Sequence, residues 1–258
     1  MQLHDKTIVI TGGGSGIGAA CARLFASKRA RVAVIDIDAS NAESVAREVG
    51  GRAYACDVGD ESVVNGTLAQ IEADYGPIDV LFNNAGIATG GDLLDTDPEV
   101  WQRQWNVNVM SHVYTTRAVL PGMLERGDGY LIQTASMAGY LTTHGNLTYA
   151  ATKHAVVGFA EWMSITYHHL GVRTSLLAPL GVDTPMLAST GSAFSSNVAG
   201  PIKTPEAVAE MVCEAVEQER FLILTDPIAQ TWMNNKNDDL ERWLAGMRRM
   251  QQKIEAER

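Results

Sequence analysis

The sequence predicts an α/β fold, a single doubly wound domain with a seven-stranded parallel sheet and helices on both faces. Short, nearly continuous apolar runs alternate with longer segments of helical period. This alternation is typical of parallel strands that are buried on both faces and joined by helices. No linker, charge block or repeat divides the 258 residues, a length that suits one large domain. We therefore treat residues 1–258 as one domain.

The predicted strands are the short apolar runs, and the helices are expected between them. In chain order, the strands are Thr7–Thr11, Arg31–Asp36, Arg52–Cys56, Ile78–Phe82, Tyr130–Ala135, Arg173–Ala178 and Phe221–Leu224.

Composition limits the classes of function. The net charge of −10 argues against a nucleic-acid partner and against binding to anionic membranes. No apolar run approaches the roughly 20 residues that span a bilayer, and the short polar start Met1–Lys6 does not resemble a signal peptide. The three cysteines are scattered and form no Cys/His cluster, so we expect no metal site and a cytoplasmic location.

Two segments depart from the alternating pattern. Residues 186–201 are rich in Ser, Ala and Gly without a clear period, which fits either a substrate lid or an ordinary surface connection. Residues 238–257 carry apolar side chains near helical spacing, with acids first and bases last, and predict an amphipathic helix. We expect this helix to pack on the domain or on a sister subunit.

The first strand leads directly into the glycine-rich stretch Thr11–Gly18, and a helix follows. Glycines allow the backbone to turn sharply and approach a pyrophosphate, which the helix N-terminus then stabilises. The stretch predicts a Rossmann-type dinucleotide site, with residues 1–90 forming most of the cofactor-binding half. The alternative is a tight turn that binds nothing.

Asp36 ends the second strand and favours NAD over NADP. A carboxylate at this place can accept both hydroxyls of the adenosine ribose and would repel a 2′-phosphate. Neither Ile37, Asp38 nor Ser15 supplies a base for that phosphate. Asp36 acting only as a helix cap is the alternative. Two further motifs, Asp57-Val58 and Asn83–Gly86, end strands where ligands bind open parallel sheets, although each also fits a simple turn.

Tyr149 and Lys153 lie four residues apart and therefore share one helix face. A free phenol has a pKa of about 10, roughly three units above neutrality, which corresponds to about 4 kcal/mol. A cation about 4 Å away supplies on the order of 4 kcal/mol. The spacing thus predicts a proton-transfer pair in which Lys153 lowers the pKa of Tyr149. An aromatic packing residue beside a snorkelling lysine is the alternative.

Three further features join these motifs: Ser136 thirteen residues before Tyr149, the run Asn106-Val107-Asn108-Val109, and Pro179 followed by Thr184. In this order and spacing, the motifs resemble the short-chain dehydrogenase/reductase family over essentially the whole chain. The resemblance implies a catalytic tetrad of Asn108, Ser136, Tyr149 and Lys153, in which Asn108 fits the family pattern better than Asn106 does. It implies cofactor contacts from Gly12, Gly14, Ser15, Gly16, Ile17, Gly18, Asp36, Ile37, Asp57, Val58, Asn84, Ala85, Gly86, Tyr149, Lys153, Pro179, Val182 and Thr184.

The chemistry that the tetrad implies is hydride transfer between a nicotinamide and a secondary alcohol or ketone. Tyr149 would act as base in one direction and as acid in the other, and the Ser136 hydroxyl would polarise the substrate carbonyl. In similar proteins the lysine, here Lys153, also holds the nicotinamide ribose, and the asparagine, here Asn108, anchors a water that relays protons.

Substrate contacts are expected beside Ser136 and in the lid. Leu180 departs from the family pattern, which has glycine directly after the proline, and this indicates an altered substrate space. The mostly apolar set favours an uncharged, hydrophobic alcohol or ketone. Its members are Met137, Leu141, His144, Leu180, Leu187 and Phe194.

We therefore expect an NAD-dependent alcohol dehydrogenase or carbonyl reductase. Two alternatives stay open: a related epimerase or dehydratase that uses bound NAD, and a catalytically silent NAD-binding sensor or scaffold. The helix that begins near Tyr149 carries more large apolar side chains than one sheet face needs. It fits an interface in a homotetramer or homodimer, or plain core packing.

Overall fold

Seven parallel strands form one sheet in the order β3-β2-β1-β4-β5-β6-β7 in a computed structural model that describes residues 1–189 and 200–256. This architecture confirms the predicted fold. The strands are β1 (Thr7–Thr11), β2 (Arg31–Asp36), β3 (Arg52–Ala55), β4 (Val80–Asn83), β5 (Gly129–Thr134), β6 (Val172–Ala178) and β7 (Leu222–Leu224).

β1 and β2 have the predicted bounds, and the other strands differ by one or two residues at one end or, for β4 and β5, at both ends. The largest difference is at the start of β4, which we expected at Ile78. Ile78 is buried, but its carbonyl accepts a hydrogen bond from the Arg126 guanidinium at 2.7 Å instead of entering the ladder. Apolar content alone does not separate a strand from the buried turn that leads into it.

Helices cover both faces of the sheet. The helices are α1 (Gly16–Ser27), α2 (Ala39–Val49), α3 (Glu61–Tyr75), α4 (Pro98–Trp105), α5 (Ser111–Arg126), α6 (Ala138–Leu141), α7 (Leu147–Tyr167), α8 (Pro185–Ser189), α9 (Pro205–Glu217), α10 (Pro227–Asp238) and α11 (Leu240–Ala256). Alternate strand residues face opposite layers, so Ile8 and Ile10 pack in the layer of α1 and α9, whereas Val9 packs with α3 and α5.

A π-helical turn, Asn106–Met110, joins α4 to α5 without a break in the helical path. Such turns have a wider hydrogen-bond ring than the α-helix, are rare, and frequently occur at functional sites. The turn buries Val107, Asn108 and Val109. It therefore presents the predicted tetrad asparagine to the protein interior.

The strand order reverses beside β1, where β4 lies on the opposite side from β2. Open parallel sheets bind ligands at such a switch point, outside the carboxyl ends of the strands. The carboxyl ends of β1, β4, β5 and β6 meet there, and all the strongest sequence motifs follow these strands.

The C-terminal helices pack beside one end of this crevice. Trp232 of α10 and Trp243 of α11 join an apolar cluster with Met137, Leu141 and Leu180. The amphipathic helix expected over 238–257 is thus observed as α11, packed on the domain itself. Across the described parts of the chain, no helix has the length and apolar character to cross a bilayer.

Candidate active site

A cavity of about 430 Å³ lies at the carboxyl ends of the central strands. Its walls unite most of the residues that the sequence predicted for cofactor and substrate. Cofactor-side members are Gly12, Ser15, Gly16, Ile17, Asp36, Ile37, Asp57, Val58, Asn84, Ala85 and Gly86, and those nearer the tetrad are Ser136, Met137, Leu141, Tyr149, Lys153, Pro179, Leu180, Val182, Thr184 and Leu187.

The glycine-rich loop has little room for side chains. Gly12 and Gly16 adopt left-handed backbone angles, with φ of 62° and 51°. A Cβ at Gly12 would lie 2.9 Å from the Ala85 Cα, and one at Gly18 would lie 2.2 Å from the Gly12 carbonyl oxygen. Gly18 and Gly14 lie outside the cavity lining and permit close packing behind the loop. The open cradle at the α1 N-terminus fits a dinucleotide pyrophosphate.

The motif after β4 holds this cradle in place. The Asn84 side-chain amide donates to the carbonyl oxygens of Thr11 and Gly12, each at 3.1 Å. In return, the Thr11 hydroxyl accepts from the backbone N–H groups of Asn84 and Ala85 at 3.0 and 3.1 Å. These four bonds join β4 to β1 across the switch point, so Asn84 acts on the loop rather than as a simple turn residue.

Asp36 lies against the glycine-rich loop. One carboxylate oxygen accepts from the Gly14 N–H at 2.9 Å and the other from the Asp38 N–H at 3.0 Å. Both bonds orient the carboxylate beside the cavity, while Asp38 itself caps α2 through the N–H groups of Ser40 and Asn41. Asp38, not Asp36, therefore has the capping role that was the alternative for Asp36.

Asp57 has a partner that the sequence did not reveal. The Arg103 guanidinium, from α4, donates to both Asp57 carboxylate oxygens at 3.1 and 2.8 Å. Although burial raises the pKa of Asp57, bonds from Arg103 and from the Gly59 N–H outweigh it and lower the pKa below its usual value. Arg103 also lines the cavity. No strand or motif placed this arginine near Asp57, because the contact spans 46 residues.

Tyr149 and Lys153 lie on one face of α7, as their spacing predicted. The Lys153 ammonium is 5.6 Å from the centre of the Tyr149 ring and donates to the Thr134 carbonyl at 2.9 Å. Burial lowers the pKa of Lys153 to about 8. Near neutral pH the Lys153 ammonium therefore loses its proton more readily than that of an exposed lysine.

The sequence predicted that Lys153 lowers the pKa of Tyr149, but in the structure this pKa is raised. Burial raises the pKa of Tyr149, and a hydrogen bond with the Ser136 side chain offsets part of that rise. The loss of hydration therefore outweighs the attraction of a cation whose charge is shared with the Thr134 carbonyl. Ser136 is held in turn, because its hydroxyl oxygen accepts from the Ala138 N–H at 3.1 Å.

Asn108 is fully buried in the π turn and does not line the cavity. Its side chain accepts from the Ile87 N–H at 2.8 Å and donates to the Ile87 carbonyl at 2.9 Å and to the Thr152 hydroxyl at 3.1 Å. Asn108 therefore joins the loop after β4 to α7. Asn106 instead accepts from Gln102 in a partly exposed pair.

The segment after β6 closes the cavity from the other side. The Pro179 carbonyl accepts from the Met137 N–H at 2.9 Å. A Cβ at Gly16 would lie 3.0 Å from the Thr184 methyl, so the segment meets the glycine-rich loop. Val182 is buried and pairs with Lys203 in an isolated bridge.

Apolar side chains surround the space beyond Ser136 and Tyr149. Leu180 is buried against Trp232, a residue whose role the sequence did not indicate because α10 begins 47 residues later in the chain than Leu180. His144 does not line the cavity; its Nδ1 lies 2.7 Å from the Gln251 side-chain oxygen of α11. Phe194 and most of the expected lid lie outside the described residues.

Comparison with known proteins identifies the family. The sequence matches the family described as short chain dehydrogenase over residues 6–194. The chain belongs to the short-chain dehydrogenase/reductase family. A curated relative, 1-deoxy-11-beta-hydroxypentalenate dehydrogenase of Streptomyces exfoliatus, is 34% identical over 94% of this chain and 90% of its own length.

Two solved structures of the short-chain dehydrogenase/reductase fold are similar over most of their length. A short-chain dehydrogenase/reductase from Burkholderia phymatum in complex with NAD is 27% identical with a TM-score of 0.86, over 93% of this chain and 96% of that one. A 3-ketoacyl-(acyl-carrier-protein) reductase from Brucella melitensis complexed with NADH is 29% identical with a TM-score of 0.80, over 86% and 97%. These findings support an oxidoreductase with a nicotinamide cofactor.

Proposed function

We propose that this short-chain dehydrogenase/reductase is an NAD(H)-dependent enzyme that interconverts a secondary alcohol and a ketone. The observation that carries the proposal is the single cavity that joins the glycine-rich cradle and Asp36 to Ser136, Tyr149 and Lys153. Ser136, Tyr149 and Lys153 line the same cavity as the cradle, with Asn108 buried behind them. This arrangement supports an enzyme over a silent NAD-binding scaffold, because it would bring acid/base groups to the nicotinamide end of a bound cofactor.

Tyr149 moves the substrate proton in this proposal. In its phenolate form it takes the hydroxyl proton of the alcohol during oxidation, and in its phenol form it gives a proton to the carbonyl oxygen during reduction. Ser136, whose side chain counteracts part of the rise in the Tyr149 pKa, donates to the substrate oxygen and stabilises developing negative charge. Lys153 holds the nicotinamide ribose and adds positive charge below the phenol. When bound, the nicotinamide supplies the hydride chemistry and, in its oxidised form, a further positive charge.

The preference for NAD rests on Asp36. Its carboxylate is fixed by two backbone N–H groups beside the cavity, where it would accept ribose hydroxyls and repel a 2′-phosphate. Of the described residues that line the cavity, Arg103 and Lys153 are the cations, and Arg103 is bonded to Asp57. The neighbours with NAD and NADH bound are consistent with this choice.

The substrate class follows from the wall beyond Ser136. Met137, Leu141, Leu180 and Trp232 are apolar and provide burial rather than charge pairing, which favours an uncharged, hydrophobic alcohol or ketone. The names of the relatives, a hydroxypentalenate dehydrogenase and a ketoacyl reductase, fit hydroxyl and keto groups.

We further propose a cytoplasmic homodimer or homotetramer whose partners are its cofactor and a small-molecule substrate. On α7, Trp162 is 55% and Ile165 80% exposed, and such apolar side chains suit an interface between copies of the chain. Sedimentation of the wild type and of the Trp162→Glu, Ile165→Glu double variant tests this. A monomeric wild type would contradict it.

The direct test of function is turnover of NAD and NADH with alcohols and ketones of graded size. Oxidation or reduction coupled one-to-one to the cofactor would support the proposal. Conversion without net change in NADH would favour an epimerase or dehydratase, and binding without turnover would favour a sensor. Both of those outcomes would overturn the proposed reaction.

A further inference from the structure

Gln104 is a completely buried polar residue whose three hydrogen bonds reach two other segments, the loop after β4 and the start of α7. Its side-chain oxygen accepts from the hydroxyls of Thr89 at 2.7 Å and Thr148 at 2.9 Å. Its amide nitrogen donates to the Ile87 carbonyl at 3.2 Å. Because a buried amide is costly when its bonds are broken, these contacts hold α4, the loop after β4 and the start of α7 in one arrangement.

Within α4, every residue of which the structure describes, Gln104 is the one buried residue. Its other apolar side chains, such as Val100 and Trp101, are only half-buried. The polar contacts of Gln104 are the fully buried ones, and polar contacts are more sensitive to direction than apolar ones. This makes Gln104 suited to fix an orientation.

Two of the three partners of Gln104 adjoin the proposed catalytic groups. Thr148 precedes Tyr149 directly, and Ile87 follows Gly86, which lines the cavity. A Cβ at Gly86 would lie 3.4 Å from the Lys153 ammonium. A change in the bonds of Gln104 would thus reach both sides of the site.

Gln104 and Asn108 act on the same backbone group. The Ile87 carbonyl accepts from both side chains, at 3.2 Å from Gln104 and 2.9 Å from Asn108. Asn108 continues to the Thr152 hydroxyl, which donates to the Tyr149 carbonyl at 2.9 Å. Two hydrogen-bonded connections therefore join Ile87 to α7. Gln104 connects it to Thr148, and Asn108 connects it to Thr152.

We propose that Gln104 is a positioning residue for the Tyr149–Lys153 pair, acting through Thr148 and Ile87 without contacting substrate or cofactor. Gln104 does not line the cavity. While the hydrogen bonds of Gln104 are formed, the first turn of α7 stays at a fixed distance from the loop after β4, which borders the proposed nicotinamide site. The inference rests on the oxidoreductase function proposed above.

The test compares Gln104→Leu with Gln102→Leu, the same change on the exposed side of the same helix. In Gln104→Leu, kcat should fall about 10- to 100-fold, the effect of misplacing a reacting group by about 1 Å. The dissociation constant for NAD, followed by tryptophan fluorescence, should stay within about twofold of the wild type. Gln102→Leu should match the wild type in both.

A second variant separates positioning from loss of stability. The triple change Thr89→Val, Gln104→Leu, Thr148→Val removes the hydroxyls that Gln104→Leu leaves without a partner, so it should recover much of the lost thermal stability. We expect kcat to stay low in the triple variant. Recovery of kcat together with stability, or a kcat of Gln104→Leu within about twofold of wild type, would overturn the proposal.

A readout that needs no substrate keeps this inference distinct from the proposed function. Phenolate absorbance, taken as the difference between each protein and its Tyr149→Phe counterpart, reports the ionisation of Tyr149 alone. The apparent pKa should shift by about half a unit or more in Gln104→Leu and stay unchanged in Gln102→Leu. An unchanged titration in Gln104→Leu would count against positioning even if the wild type turned over no alcohol.

Discussion

The ammonium of Lys153 lies 5.6 Å from the centre of the Tyr149 ring, one helical turn away. At this distance a cation attracts the aromatic face and also favours a phenolate. Burial acts in the opposite direction and raises the pKa of Tyr149. The free protein therefore keeps Tyr149 protonated, and its release of a proton depends on what binds above it.

Tyr149→Phe should abolish redox turnover while leaving NAD binding nearly intact. The ring and its packing remain, but the transferable proton is lost, which costs about 10²- to 10⁴-fold. Initial rates of NADH formation and fluorescence titration with NAD measure the two effects. Tyr167→Phe, at the far end of α7, serves as the control. Undiminished turnover in Tyr149→Phe would sink the proposed mechanism.

Asp36→Ala should reduce the preference for NAD over NADP by about tenfold or more, because one negative charge no longer opposes the 2′-phosphate. The ratio of kcat/KM for the two cofactors measures this change. Asp38→Ala removes the neighbouring carboxylate, which caps α2. That control should cost about 1 kcal/mol of stability and leave the cofactor ratio unchanged. An unaltered ratio in Asp36→Ala would mean that the preference arises elsewhere.

Leu180→Ala should shift substrate preference toward bulkier alcohols and ketones. Leu180 is buried at the substrate end against Trp232, so its truncation enlarges the space while destabilising the protein by about 2–5 kcal/mol. Values of kcat/KM across a homologous series of ketones give the measurement. Leu170→Ala, at an exposed position, is the matched change. The same size dependence in wild type and Leu180→Ala would show that Leu180 does not shape the pocket.

His112 should make the protein less stable in acid. Burial lowers its pKa to about 3, whereas an unfolded histidine titrates near 6.5. The unfolded chain therefore binds more protons between these values, and the free energy of unfolding should fall as pH drops from 6.5 toward 3. The slope due to this residue is at most about 1.4 kcal/mol per pH unit.

Urea unfolding at several pH values tests this assignment. His112→Gln should show a flatter acid limb than the wild type, because no imidazole is then forced to stay neutral. His168→Gln changes an exposed histidine and should leave the slope as it is. Parallel acid limbs in wild type and His112→Gln would assign the acid sensitivity to other groups.

Much of the fold follows from local pattern. Strands β1 and β2 could be bounded from the sequence because Arg31–Asp36 and Thr7–Thr11 are apolar runs with clear turns on either side. The glycine-rich loop between β1 and α1 could also be predicted, since its place between a strand and a helix is typical of a dinucleotide site. Spacing alone also placed Tyr149 and Lys153 on one face.

Other features depend on distant contacts that no local pattern encodes. Arg103 reaches Asp57 across 46 residues, and Trp232 reaches Leu180 only after the chain has returned through β7. The direction of the Tyr149 pKa required the extent of burial, which the sequence does not contain. The sequence left open whether His144 bound substrate, and its ring instead contacts α11.

The π turn at Asn106–Met110 sets how far α5 is rotated about the helix axis relative to α4. Each residue in an α-helix turns the path by about 100°, so deletion of one residue there would restore regular geometry and rotate α5 relative to α4. Gln104 on one side contacts Thr148, and His112 on the other contacts Gln133. A regular helix would satisfy one of these contacts and misdirect the other. The extra residue in the π turn therefore lets one continuous helical path contact both Thr148 and Gln133, which lie in different directions from it.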